Sequence, residues 1–330
     1  MIKQISFYGL IALLTMFCAC GSSDDTTTVQ EGNWVKRSSF DGVARSGAVT
    51  FVVGTKAFVG LGYDGDEYLT DFWSYDADQN FWQRVADFPG VGRTGGVAFA
   101  IDGKGYVGTG YDGEAKDEVM DFWEYDVAAD TWTQIADFGG TKRLSAVAFA
   151  VNGKGYVGTG NDGNYVKDFW EFDPNTGQWA QIVSLKGEKK RNAVAFVIGD
   201  NAYVGTGTNN GLYETDFWEF TSSPVDWIQK GSLTAETTYE IQRERAVGFA
   251  LGGMGYVSTG VFSANLASTW QYDPVEDLWT EVTAFEGTPR QGAVAFTVDG
   301  RSFVALGQNS SNRFDDVWEF KPNESYNEND

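Results

Sequence analysis

The chain has 330 residues, 42% of them hydrophobic and 15% aromatic, which is enough apolar surface for a large core. Its formal net charge is −22, and so acidic a surface repels nucleic acids and other polyanions. There is no histidine, which excludes Ser-His-Asp catalysis and His-based zinc sites.

Residues 1–19 read as a secretion signal. Lys3 supplies the basic start, and the apolar run from Ile5 to Phe17 is too short for a typical membrane-spanning helix. The run ends in Phe17-Cys18-Ala19-Cys20-Gly21, which resembles the lipobox of bacterial lipoproteins. The small Ala19 favours Cys20 over Cys18 as the lipidated residue. An ordinary cleaved signal, with both cysteines lost, is the alternative. On either reading the mature domain has no cysteine pair, so no disulfide supports it. Residues 20–32 form a polar tether, and Asp24-Asp25 within it resembles the surface-export signal of Bacteroidetes lipoproteins. The implied location is the bacterial cell envelope, lipid-anchored at the outer membrane and exposed at the cell surface, with the anchor as the only membrane contact.

Beyond the tether, all twelve tryptophans fall into one frame. Five pairs share a spacing of nine: Trp73/Trp82, Trp123/Trp132, Trp170/Trp179, Trp218/Trp227 and Trp270/Trp279. Trp318 opens a sixth pair whose partner is found at the other end of the sequence, as Trp34. A linear array has no reason to split a repeat between its termini, whereas a ring does. Each unit carries four short apolar runs. In the second unit these are Val97-Ala98-Phe99-Ala100-Ile101, apolar on both faces and so expected to be fully buried; Tyr106-Val107-Gly108-Thr109-Gly110; Asp121-Phe122-Trp123-Glu124-Tyr125; and Trp132-Thr133-Gln134-Ile135. Asp102-Gly103 between the first two suits a tight hairpin, because both residues tolerate positive φ. Third-strand tryptophans recur at intervals of 50, 47, 48, 52 and 48 residues. A four-stranded unit of about 50 residues repeated radially is a β-propeller blade. The expected architecture is therefore all-β, a six-bladed propeller over residues 33–320, closed by the N-terminal strand pairing with the last blade. The Asn- and Glu-rich residues 321–330 are expected to form a disordered tail.

The units resemble kelch repeats, with a buried first strand, a glycine-rich end to the second, and Tyr125/Trp132, Phe172/Trp179 and Tyr272/Trp279 at fixed spacing. Two features depart from that pattern. Gly-x-Gly, as at Gly158-Thr159-Gly160, replaces adjacent glycines, and the fifth unit has Ser258 and Ser268-Thr269-Trp270. The resemblance extends to the propeller domain of galactose oxidase, but a copper oxidase is excluded because its copper ligands include histidine. It extends also to the kelch-type sialic-acid epimerases.

Six residues before each first-strand phenylalanine stands a base: Arg45, Arg93, Arg143, Lys190, Arg243 and Arg290. In a propeller these positions ring the mouth of the central channel, an arrangement suited to carboxylates and other anions. The competing expectation is structural, with the bases paired to blade carboxylates such as Asp64, Asp112 or Asp162. Tyr63, Tyr68, Tyr111, Tyr165, Tyr213, Phe262 and Phe314 in the neighbouring loops could offer flat faces to sugars, or could simply pack. The connection 233–244 is longer than its counterparts and holds Tyr239 and Glu240. No metal or other cofactor is expected. Calcium is the alternative left by loops such as Asp64-Gly65-Asp66-Glu67, although their spacing matches no EF-hand loop.

The expected function is a non-catalytic binding or interaction module, a monomeric domain presenting one propeller face to a glycan, a small anionic ligand or an envelope protein. The alternative is an enzyme resembling the sialic-acid epimerases, exchanging the anomers of a carboxylated sugar. No acid/base pair for that chemistry is legible.

Overall fold

The computed structural model describes residues 31–234 and 241–329, and every regular element among them is a β-strand. Residues 1–30, with the signal, Cys20 and most of the tether, lie outside the described residues, as do Tyr239 and Glu240. Six four-stranded antiparallel sheets follow one another along the chain. The first blade runs Val49–Val53, Lys56–Gly60, Phe72–Asp76 and Phe81–Val85, paired in that order. The sixth takes Val294–Val298, Arg301–Ala305 and Val317–Ser325 from the C-terminal end and Glu31–Lys36 from the N-terminal end.

Trp34 shows why that composite blade holds. Its indole is fully buried, 5.0 Å from Phe285 and 4.8 Å from Phe320, and its Nε1 donates to the Thr283 carbonyl at 3.2 Å. Trp132 and Trp227 donate to Ala86 and Val183 of their own preceding blades in the same way. Trp34 is therefore the outer-strand tryptophan of blade six. The C-terminal tail begins later than the sequence suggests. The strand continues through Lys321 to Ser325, with Asn33 opposite Lys321 and Glu31 opposite Ser325 across a bulge. Backbone pairing orders this segment, which its polar side chains do not foreshadow. The sheet likewise begins at Glu31, two residues before the expected boundary.

The core lies between blades rather than within them. Phe99 stacks on Tyr106 at 5.2 Å, and Tyr106 meets Phe172 of the next blade at 5.3 Å. The same contact closes the circle where Phe303 of blade six meets Tyr75 of blade one at 5.3 Å. A glycine ends most second strands because a phenylalanine takes its side-chain space: a Cβ on Gly108 would lie 2.1 Å from the Phe122 ring. Blade five replaces both partners at once. Ser258 and Thr269 share a hydrogen bond of 2.8 Å where blades one to four pack glycine against phenylalanine, and blade six pairs Ala305 with Val317. The hairpins behave as read, with φ of 49° at Asp102 and 82° at Gly103.

The first strands are not fully buried. Val97, Phe99 and Ile101 lie between blades, but Ala98 and Ala100 on the opposite face are partly exposed. Six inner strands surround an axial channel, lined at one level by Thr50, Ala98, Ala148, Ala195, Gly248 and Ala295. The alternating face turned to this channel carries small side chains, which leaves the axis open.

Candidate binding site at the channel mouth

The six bases expected to ring the mouth are each fully buried. Four make forked ion pairs with the aspartate of the third-strand Asp-x-Trp motif. Arg93 Nη1 and Nη2 meet Asp121 Oδ1 and Oδ2 at 2.7 and 2.8 Å, and Arg45–Asp71, Arg143–Asp168 and Arg290–Asp316 repeat this geometry. The tryptophan two residues on donates to the same carboxylate, Trp123 Nε1 to Asp121 Oδ2 at 2.7 Å. A phenylalanine covers each of these guanidinium groups, as Phe88 does Arg93 at 4.9 Å. In blade four Lys190 pairs with Asp216, and the Glu188 N–H fills the second carboxylate oxygen at 3.0 Å. In blade five Ser268 stands in the aspartate's place. There Arg243 donates to the carbonyls of Ile241, Thr259 and Ser268 at 2.9, 2.9 and 3.0 Å, and burial lowers its pKa to about 10.

The ring therefore staples each first strand to its third and does not face a ligand. Burial alone would raise the pKa values of Asp71, Asp121, Asp168, Asp216 and Asp316, but the charged donors and indoles hold all five below the usual carboxylate range. The partners are not Asp64, Asp112 or Asp162. Asp64 and Asp112 cap their own turns, accepting N–H groups from Asp66 and Glu67 and from Glu114 and Ala115. Asp162 accepts from Thr141 Oγ1 at 2.7 Å.

The loop aromatics clasp neighbouring blades. Tyr63 lies between Arg313 of blade six, 4.8 Å away, and Tyr68, 4.7 Å away, and its hydroxyl donates to the Gly65 carbonyl. Tyr68 reaches Tyr111 of blade two at 6.1 Å, and Tyr213 meets Phe262 of blade five at 4.7 Å. Tyr63 and Tyr111 are thus half-buried parts of a collar. Among the described residues no three Cys, Asp or Glu side chains gather as a metal cage.

Two residues beyond each base the chain turns into the left-handed region, with φ between 53° and 64° at Gly47, Gly95, Ser145, Asn192, Arg245 and Gly292. Each of these N–H groups donates to the carbonyl of its counterpart in the preceding blade. The six bonds, 2.8 to 3.1 Å long, form a closed circle completed by Gly47 N–H to Gly292 O. Above it opens a cavity of about 290 Å³, lined by all six blades and including Ser46, Thr94, Ser145, Asn192, Gln291 and Gln308. Arg245 is the one charged residue of this lining; its side chain is exposed, and no described residue pairs with its guanidinium. Glu244 beside it is engaged elsewhere, its Oε2 accepting from Asn192 Nδ2 at 2.7 Å and Thr208 Oγ1 at 2.9 Å. The sequence reading missed Arg245. Aligning the six lead-in segments at this position, which reads Gly, Gly, Ser, Asn, Arg, Gly, would have shown it.

Fold and mouth together define a Kelch-type β-propeller. Residues 27–204, more than half of the chain, match the profile of the KLHDC2/KLHL20/DRC7 Kelch-repeats domain, and the chain belongs to that Kelch-repeat family. Among solved structures it is similar to YjhT, with a TM-score of 0.74 at 15% identity, covering 84% of this chain and 95% of that one. No curated protein matches the chain in sequence.

Proposed function

We propose that this propeller is a non-catalytic binding module of the bacterial cell envelope, tethered through a lipidated Cys20, which receives its ligand at the channel mouth. The cavity of about 290 Å³ carries the reading: all six blades converge there, and its hydroxyls, amides and single guanidinium suit a small polar ligand. An acidic sugar, a glycan end or an acidic loop of an envelope protein has the matching chemistry. The acidic exterior disfavours polyanions. Thermal-shift measurements against acidic sugars, glycan fragments and calcium test the reading. Stabilisation by a ligand that is lost when Asn192 and Gln291 are replaced by alanine supports it, and a ligand whose effect survives those changes removes it from the mouth.

The enzymatic alternative, anomer exchange on a carboxylated sugar as in the kelch-type epimerases, needs an acid and a base at the same place. Glu244 is the nearest carboxylate in sequence to Arg245, and its committed hydrogen bonds favour binding over proton transfer. Faster mutarotation of freshly dissolved sialic acid with catalytic amounts of protein, read by NMR, would reverse that preference.

A further inference from the structure

The six positions of the mouth circle have the same backbone and should favour the same residue. Three are glycine, for which left-handed φ carries no steric cost, and one is asparagine, which tolerates it. Ser145 at φ 55° and Arg245 at φ 53° are the remaining two, and Arg245 is the long, charged one, in a conformation where glycine would carry no steric cost. Among the described residues nothing rewards it. The circle uses only its N–H and carbonyl, both of which glycine supplies, and no described residue receives its guanidinium.

The circle has a second consequence. Its N–H groups all point along the ring into the next carbonyl, so the mouth has no free backbone donors there with which to hold a negative charge. Hydroxyls and amides alternate with alanine, glycine and Leu144 in the rest of the lining, and among the described residues no carboxylate lines the cavity. A single guanidinium in such a setting can neutralise one negative charge and no more, inside an exterior that repels further charge.

We propose that Arg245 is the specificity-determining residue of the mouth. It selects ligands that carry one anionic group, a carboxylate above all, on an otherwise neutral, hydroxyl-bearing body. This inference rests on the mouth being the binding site. The guanidinium takes the anion, and the arc of Gln291, Gln308, Ser46 and Thr94 from blades six, one and two offers its amides and hydroxyls to the ligand's hydroxyl groups. Ser46 Oγ and Gln308 Oε1 already meet at 2.6 Å, which leaves the Gln308 amide N–H groups for a ligand oxygen.

The test compares the full-length protein with Arg245→Gly and Arg245→Lys, using glucuronate, galacturonate and glucose as probes. Arg245→Gly should raise the melting temperature without ligand, because strain is relieved, and should weaken binding of the two acids about ten- to a hundred-fold, the loss expected for a charge-assisted contact. Arg245→Lys should leave the melting temperature near wild type and keep part of the affinity, since it retains the charge without the fork. Glucose should bind both variants as weakly as it binds wild type. A melting temperature lowered by glycine gives Arg245 a structural role and overturns the proposal. Equal binding of glucuronate, galacturonate and glucose to wild type and Arg245→Gly leaves the mouth as a site but overturns the role of Arg245. No response of wild type to any of the three probes overturns both.

Discussion

The N–H of Gly47 donates to the carbonyl of Gly292 at 2.9 Å, joining the first blade to the last. It is the sixth bond of a circle whose other five join consecutive blades, and its length falls within their range of 2.8 to 3.1 Å. Closure is thus made twice, at the axis by this bond and at the rim by the strand that carries Trp34. The two seals differ in what they remove from water. The inner one satisfies backbone groups, and the outer one covers the apolar rings of Phe285 and Phe320.

Removing the outer seal should therefore be severe. Trp34→Ala is expected to cost about 3–5 kcal/mol, the usual range for deleting a buried large aromatic side chain, and deletion of residues 33–38 should also leave a sheet edge that promotes aggregation. Urea unfolding of the substitution and thermal unfolding of the deletion variant are the measurements. A deletion variant that melts with the wild type would contradict closure by this strand.

The staple aspartates predict an acid limb. Their folded pKa values are depressed, so the stability they contribute is complete above their unfolded value of about 3.9 and is lost as pH falls through the lower folded values. Stability should hold to about pH 4 and fall steeply below it. Asp121→Ala leaves the buried Arg93 without its counter-charge and should cost about 3–5 kcal/mol at pH 7, while flattening the acid limb. An acid limb of unchanged steepness in Asp121→Ala and Asp168→Ala would remove these pairs as its cause.

Glu214 predicts the opposite pH dependence. Leu69, Val119, Val166, Leu266 and Phe314 occupy its position in the other blades, each donating its N–H to the carbonyl of its own blade's equivalent glycine, as Glu214 does to Gly207. Burial raises the Glu214 pKa, with Asp216 and Glu188 adding to the rise and Lys190 opposing it. A raised folded value makes the carboxyl's contribution less favourable as pH climbs above the ordinary glutamate range. Glu214→Leu should raise the melting temperature at pH 7 and do so less at pH 4. A gain of equal size at both pH values would assign the effect to packing alone.

Anchoring is tested at Cys20. Cys20→Ala should release the protein from the membrane fraction while its thermal unfolding stays unchanged, because the first strand begins eleven residues later at Glu31. Failure of a fatty-acid analogue to label the wild type would overturn lipidation.

The architecture was legible because packing repeats. Every blade must seat a tryptophan on its predecessor, so Trp34 and Trp318 could be placed in one blade from spacing alone. Periodicity left the role of the basic ring open between staple and binding site, and the buried Arg–Asp pairs answer to the staple. The bases at Arg45 through Arg290 recur because each blade needs its staple, and a feature that every blade requires is a poor guide to a ligand that approaches one axis. Nor could sequence show that Asp71 and Asp121 of the third strand, rather than Asp64 and Asp112 of the loops, receive those bases, since that choice follows from how the strands pair. Departures from the repeat stand out against this background, such as Arg245 among small residues and Glu214 among apolar ones.

Where the ligand sits is the central claim, and amide hydrogen exchange reads it directly. In the presence of saturating glucuronate, peptides spanning residues 45–48, 93–96, 143–146, 190–193, 243–246 and 290–293 should exchange more slowly, while the outer strands Phe81–Val85, Gln178–Ile182 and Leu278–Val282 should be unchanged. Protection confined to the outer strands or to the hairpins at the opposite mouth, or no protection at all, would contradict the account.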